Sequence, residues 1–188
     1  AYTQTCPSGA PDGGPYTASS YDRLHTGTIA FGSAATQVVT AGGDPFTGAQ
    51  FDPIGGTSDA CKTVSGLSVP GTAGYTYETA SGFTLLGLPT VTATIQTVGE
   101  FGELDSMLFD VSPGGEERLV TRGAYRLTAN QTGQVTFQLH GNGYAFPPGH
   151  TARLVLLGRD APYLRASNDL AFSVQVSGLT VDLPTVTG

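Results

Sequence analysis

The chain has very little charge for its size. Of 188 residues only 12% are Asp, Glu, Lys or Arg, about half the usual share for a soluble protein. Lys62 is the sole lysine, and the net charge is −7. With so few cations no basic patch can neutralise a phosphate backbone, so nucleic acid is excluded as a partner, and an anionic membrane surface equally so. No apolar run approaches the roughly 20 residues that cross a bilayer. Tryptophan is absent, which removes the best ring for stacking on a sugar. No leader peptide is visible, as expected of a chain that starts after its removal. The ending Leu183-Pro184-Thr185-Val186-Thr187-Gly188 is one residue too long for a sortase signal.

Cysteine is also scarce. Cys6 and Cys61 are the only two. They read either as a disulfide closing a long, poorly patterned loop or as two unrelated buried thiols. Both sit among Gly, Pro and Asp rather than in strands, which favours the disulfide and with it a secreted or extracytoplasmic setting.

Apolar residues make up 39% of the chain, enough for a packed core, and the pattern they follow is alternation. In Thr90–Val98 the inner set is Val91, Ala93 and Ile95, with Thr92, Thr94 and Gln96 opposite. In Gln134–His140 it is Val135, Phe137 and Leu139, and in Phe172–Ser177 it is Phe172, Val174 and Val176. Each such strand has one dry face and one uncharged polar face. That requires two sheets packed face to face.

Further strands are expected at Thr26–Phe31, Thr36–Thr40, Gly74–Glu78, Asp105–Val111, Leu119–Leu127, Thr151–Leu157 and Leu179–Leu183. Ala152–Leu157 is apolar nearly throughout and belongs in the middle of a sheet. Turns are expected at Pro113-Gly114-Gly115, Asn130–Gly133, Gly141-Asn142-Gly143 and Pro147-Pro148-Gly149, and a bulge at Gly123. The sum is an all-β fold, a two-sheet antiparallel sandwich of jelly-roll type. Residues 1–70 read as a loop-rich extension packed on the sandwich and residues 71–188 as its core, one structural domain in all.

Chemistry is sparse. Gly56-Thr57-Ser58-Asp59-Ala60 approaches the nucleophile elbow of hydrolases but lacks the final glycine, the preceding strand and the following helix. His25, His140 and His150 have no metal-ligand spacing. His150 follows Gly149 at a strand start, where a structural hydrogen bond is the simpler role. Glu100 with Glu103, Asp105 with Asp110, and Glu116 with Glu117 could be catalytic carboxylate pairs. Asp105 and Asp110 face opposite sides of a regular strand, and Glu116-Glu117 reads as a solvated turn. Asp44, Asp52 and Asp59 lie in Gly-rich loops and could hold a structural calcium, though turn-forming aspartates look the same. No other cofactor is implied. Tyr144 and Phe146 beside Asn142, and Tyr163 beside Arg165 and Asn168, could stack on a glycan from loops, or pack at the core edge.

Several segments together resemble a known family. They are Leu86-Gly87-Leu88-Pro89, Leu108-Phe109-Asp110-Val111-Ser112-Pro113-Gly114-Gly115, Val120-Thr121-Arg122-Gly123, Pro148-Gly149-His150 and Asp160-Ala161-Pro162-Tyr163. In this order and spacing the stretch from about Tyr75 to Pro184 resembles the C-terminal β-sandwich of the X-Pro dipeptidyl-peptidase and cocaine-esterase family of serine hydrolases. The resemblance implies a jelly roll of the galactose-binding type. It also implies a non-catalytic accessory domain whose partner is an α/β-hydrolase domain in the same or another chain, since the family's catalytic triad lies in that separate domain. Such a module should buttress the hydrolase and shape substrate access. It should show an apolar patch where the hydrolase docks. The alternatives are a carbohydrate-binding module and a free-standing enzyme with an unfamiliar site.

Overall fold

Alternation of apolar and polar residues builds two antiparallel sheets in the computed structural model, which describes residues 1–4, 6, 9–10, 13–41, 60–66, 70–100, 102–160, 163 and 172–186. The strands are β1 (Gly27–Ser33), β2 (Gln37–Thr40), β3 (Thr63–Ser65), β4 (Ala73–Glu78), β5 (Phe83–Gly87), β6 (Thr90–Val98), β7 (Gly102–Val111), β8 (Glu116–Leu127), β9 (Thr132–Gln138), β10 (Asn142–Phe146), β11 (Thr151–Leu157) and β12 (Ser173–Val186). The larger sheet runs β10-β5-β12-β6-β9, with β1 and β2 also paired to β12; the smaller runs β3-β8-β7-β11-β4. The architecture is a β-sandwich.

The core lies between the sheets. Val91, Ala93 and Ile95 of β6 are buried, as are Val174, Val176 and Val181 of β12, and they face Leu104, Leu108, Leu154 and Leu156 of the smaller sheet. Removing each large aliphatic side chain from water contributes about 1.5–3 kcal/mol. The outer face of the larger sheet carries the alternate residues, Thr94, Gln96, Gln134, Thr136 and Gln175, all exposed.

The apolar run at β11 has its expected place, with β7 on one side and β4 on the other. Its second face also has a reason to be apolar. Val155 and Leu157 join Met107 and Phe109 in a separate buried cluster on the outer side of the smaller sheet. A strand buried on both faces loses its alternation.

Three sequence expectations need correction. Asn142–Phe146 is strand β10 rather than a turn and loop. The strand breaks one step earlier, at Leu139–Gly141, where the chain leaves β9 for β10. Phe172–Ser177 and Leu179–Leu183 are one strand, β12, with its bulge between Ser177 and Thr180. The bulge in β8 falls at Val120, since Leu108 pairs with Thr121 and Phe109 with Leu119. Gly123 has a different reason to be glycine. A Cβ there would lie 2.9 Å from Leu139 Cα and 3.0 Å from the Gln138 carbonyl oxygen, both backbone. Two backbones cross at that point, and only hydrogen fits.

The chain before residue 71 supplies ladder strands to both sheets. Strand β1 pairs with β12 over seven positions, β2 with β12, and β3 with β8. Three features close the edges. The Gln37 side-chain amide pairs with Gly74, donating to its carbonyl at 3.0 Å and accepting from its N–H at 3.1 Å. At the opposite corner the His140 N–H donates to the Arg122 carbonyl at 2.9 Å. At the N-terminal end the Gln4 N–H donates to the Gly143 carbonyl of β10 at 2.6 Å. Cys6 and Cys61 are disulfide-bonded, with Cα atoms 5.2 Å apart across 55 residues, which anchors this strap.

Candidate functional site

Asp110 is the most consequential polar residue between the sheets. Alternation along β7 turns it inward with Leu104 and Leu108, and it is only 3% exposed. A buried carboxylate is tolerated only when its oxygens are satisfied. Here the Tyr144 hydroxyl donates to Oδ2 at 2.7 Å, and His150 Nδ1 lies 2.8 Å from Oδ1. Arg118 extends the network, donating from Nη1 to the Tyr144 oxygen and from Nε to the Cys61 carbonyl, both at 3.3 Å. One acid thus joins β7, β8, β10 and the start of β11, and connects them to the disulfide. Burial raises the Tyr144 pKa first, and its hydrogen bond to Asp110 adds to the rise, while Arg118 pulls the other way.

The turn that delivers His150 is built with equal care. The Thr79 N–H donates to the His150 carbonyl and the Gly149 N–H to the Thr79 carbonyl, at 2.8 and 2.7 Å. The Thr79 hydroxyl donates to the Pro147 carbonyl at 3.1 Å. Gly149 has φ +79°, a conformation that favours glycine. The Pro148-Gly149-His150 segment is therefore a positioning device for a structural hydrogen bond.

A carboxylate on histidine Nδ1 is the orienting half of a catalytic triad. The other half is not formed among the described residues. Among the described residues no hydroxyl or thiol bonds His150 Nε2, and both cysteines are tied in the disulfide. The same acid is also committed to Tyr144. The arrangement holds strands together.

The remaining carboxylates lie elsewhere. Asp105 is fully buried on the outer side of β7, opposite Asp110. Its pKa is pushed up to about 8, chiefly by burial, then by the charges of Glu103 and Asp160; the Asp160 backbone N–H and the Arg122 guanidinium oppose the rise. Arg122 pairs with Asp160 at 3.3 Å. Glu117 corrects the solvated-turn expectation, because it is buried in β8 and bonded to Arg153 at 2.7 Å. Among the described residues no three His, Cys, Asp or Glu side chains are grouped to hold a metal ion. The calcium candidates Asp44, Asp52 and Asp59 lie outside the described residues, as do Arg165 and Asn168.

Two of the aromatic candidates are packed inside rather than presented to solvent. Tyr144 and Phe146 are 3% and 2% exposed. Phe146 stacks on Phe83, ring centroids 4.5 Å apart. Core packing of β10, rather than a loop, accounts for both. The Asn142 amide donates to Gln4 Oε1 and the Val120 carbonyl, so it holds the N-terminal strap. The Tyr163 hydroxyl lies 2.8 Å from His140 Nε2, and burial raises its pKa to about 12. The network residue that the sequence hid, Arg118, carries no local signal. Asp110 did carry one: an acid inside the apolar segment Leu108–Val111 needs partners.

A model of the family described as "X-Pro dipeptidyl-peptidase C-terminal non-catalytic domain" matches residues 67–174. The chain belongs to this family. Every segment on which the sequence resemblance rests falls largely or wholly inside the matched span.

Solved structures share the fold of this X-Pro dipeptidyl-peptidase C-terminal domain. A CocE/NonD family hydrolase from Staphylococcus aureus superposes with a TM-score of 0.57 at 12% identity, over 91% of this chain and 38% of that one. An alpha-amino acid ester hydrolase gives 0.51 at 19% identity, over 62% and 26%. An aminopeptidase from a marine sediment Thaumarchaeota archaeon gives 0.50 at 11% identity, again over 62% and 26%. The chain therefore spans about a quarter to two fifths of these proteins. No curated protein matches it.

The apolar docking patch expected of an accessory domain is not assembled among the described residues. The large apolar side chains that stand exposed are Tyr2, Tyr21, Val38 and Val98. Tyr2 and Tyr21 rim one groove with Leu24 and Leu86, whereas Val38 and Val98 lie on β2 and β6 with β12 between them.

Proposed function

We propose that this chain is an accessory domain of an exported serine hydrolase, one that buttresses the hydrolase domain and shapes access to its substrate. The family match to a non-catalytic domain over 67–174 carries this reading. Two of the structural neighbours are an ester hydrolase and a CocE/NonD family hydrolase, which favours an α/β-hydrolase domain as the partner and esters or peptide amides as its substrates. The Cys6–Cys61 disulfide supports export, since such bonds persist in oxidising compartments. The Asp110 network supports buttressing: it makes the domain a stiff block, with a polar clamp across both sheets.

The test compares a hydrolase carrying this domain with its deletion variant, and assays the 188-residue chain alone on aminoacyl esters and X-Pro amides. The expected result is no turnover by the chain alone, with a lower kcat/KM and a lower Tm for the deletion variant. Turnover by the chain itself, or an unchanged hydrolase after deletion, would overturn the reading.

A further inference from the structure

Among the described residues, several strand edges are closed or blunted in a way the structure makes visible. The β10 edge is covered by the strap, through the Gln4 N–H on Gly143. The β4 edge is occupied at Gly74 by the Gln37 amide. Strand β1 leans on β4, with Phe31 and Tyr77 ring centroids 5.9 Å apart. Strand β3 is three residues long and pairs with the charged Glu116-Glu117-Arg118, and short charged edges resist pairing.

Strand β9 has none of these devices. It pairs with β6 on one side, and it ends the sheet path on the other. Among the described residues it makes no backbone hydrogen bond beyond that ladder. Its sequence, Thr-Gly-Gln-Val-Thr-Phe-Gln, contains no charge and no proline. Thr132, Gln134, Thr136 and Gln138 are exposed. The neighbouring outward residues of β6, Thr92, Thr94 and Gln96, are neutral as well, and the Thr92 and Thr136 hydroxyls bond at 3.1 Å. An unprotected, uncharged edge of seven residues is a template for strand addition.

We propose that the β9 edge is a self-association surface, on which β9 of a second copy pairs antiparallel about a two-fold axis. Charge favours a second copy at this place. Two chains of net charge −7 repel, and this edge with its flanking face lets them meet without opposing like charges. The sequence of β9 is also self-complementary. A register centred on Val135 sets Val135 against Val135 and Gly133 against Phe137, so the glycine leaves room for the ring. On the outer face it sets Gln134 against Thr136 and Thr132 against Gln138. Such a contact is isologous and closes on itself.

Sedimentation velocity of the 188-residue chain over a concentration series reads the proposal, with a 19.3 kDa monomer as reference. The expected result is reversible dimerisation. Thr136→Lys, at an exposed site, places two cations near the axis and should weaken the dimer by roughly tenfold or more. Adding Gln134→Glu to that variant should restore it, because positions 134 and 136 face each other across the axis in this register and each new cation then meets a new carboxylate. A chain that stays monomeric at every concentration overturns the proposal. So does a dimer that Thr136→Lys leaves unchanged, or one that the added Gln134→Glu fails to recover.

Discussion

His150 Nδ1 lies 2.8 Å from Asp110 Oδ1, and this contact ties the turn before β11 to the end of β7. Histidine on carboxylate is a motif of catalysis, yet here the acid serves packing: its second oxygen is taken by Tyr144, a side chain from the opposite sheet. The pair shows how a buried carboxyl group can fasten a sandwich when each of its oxygens has a partner.

Tyr144→Phe should therefore cost stability out of proportion to one oxygen atom. It strips Asp110 of a donor and Arg118 of an acceptor in a buried site. A loss of about 1–3 kcal/mol is expected from urea unfolding, with the m-value unchanged. A loss too small to measure would mean that water enters and replaces the hydroxyl.

Cys6→Ser with Cys61→Ser should destabilise the chain by about 4 kcal/mol, from the loop-closure entropy of a 55-residue separation. Thermal unfolding with and without a reductant checks it. Hydrogen exchange should quicken at the Gln4 amide, whose bond to Gly143 depends on the strap staying in place.

Gly123→Ala should cost about 1–3 kcal/mol, because the two nearest neighbours of the new methyl are backbone atoms of Leu139 and Gln138, which cannot swing aside. Circular dichroism melting of this variant checks it. Gly115→Ala is the contrasting control for the steric effect, since nothing lies within 4 Å of its Cβ, although its positive φ still carries a smaller backbone cost.

Asp105 predicts the pH dependence. Its folded pKa is about 8, against about 3.9 in an unfolded chain. Between these values the folded state holds the proton and the unfolded state does not. Stability then falls as pH rises through that window, by up to ~1.4 kcal/mol per pH unit. Above pH 8 the full loss is present. Asp105→Asn should flatten the decline and be the more stable form at pH 8 in parallel urea titrations. An identical pH profile in both proteins would contradict this.

The sandwich was legible because period-two alternation is a direct consequence of one dry face per strand; Val91-Ala93-Ile95 and Phe172-Val174-Val176 needed no further information. β10 was not legible. Gly141-Asn142-Gly143 has turn composition, and the chain extends there because it pairs with β5 and is held by the bonds from Gln4 and Asn142. Gly123 carried a real signal whose cause lay in tertiary structure, the crossing of Leu139. The Asp110 network was half visible: the acid was anomalous inside an apolar strand, but its partners come from two other strands and a turn. The Tyr144 and Phe146 rings looked like loop aromatics for the same reason that β10 looked like a loop.

The central claim, a sandwich domain without catalytic machinery, is tested most directly by treating the purified chain with a fluorophosphonate and measuring its intact mass. The account predicts no adduct, because the family is non-catalytic and, among the described residues, no hydroxyl or thiol bonds His150. A stoichiometric adduct that disappears in His150→Ala would contradict it.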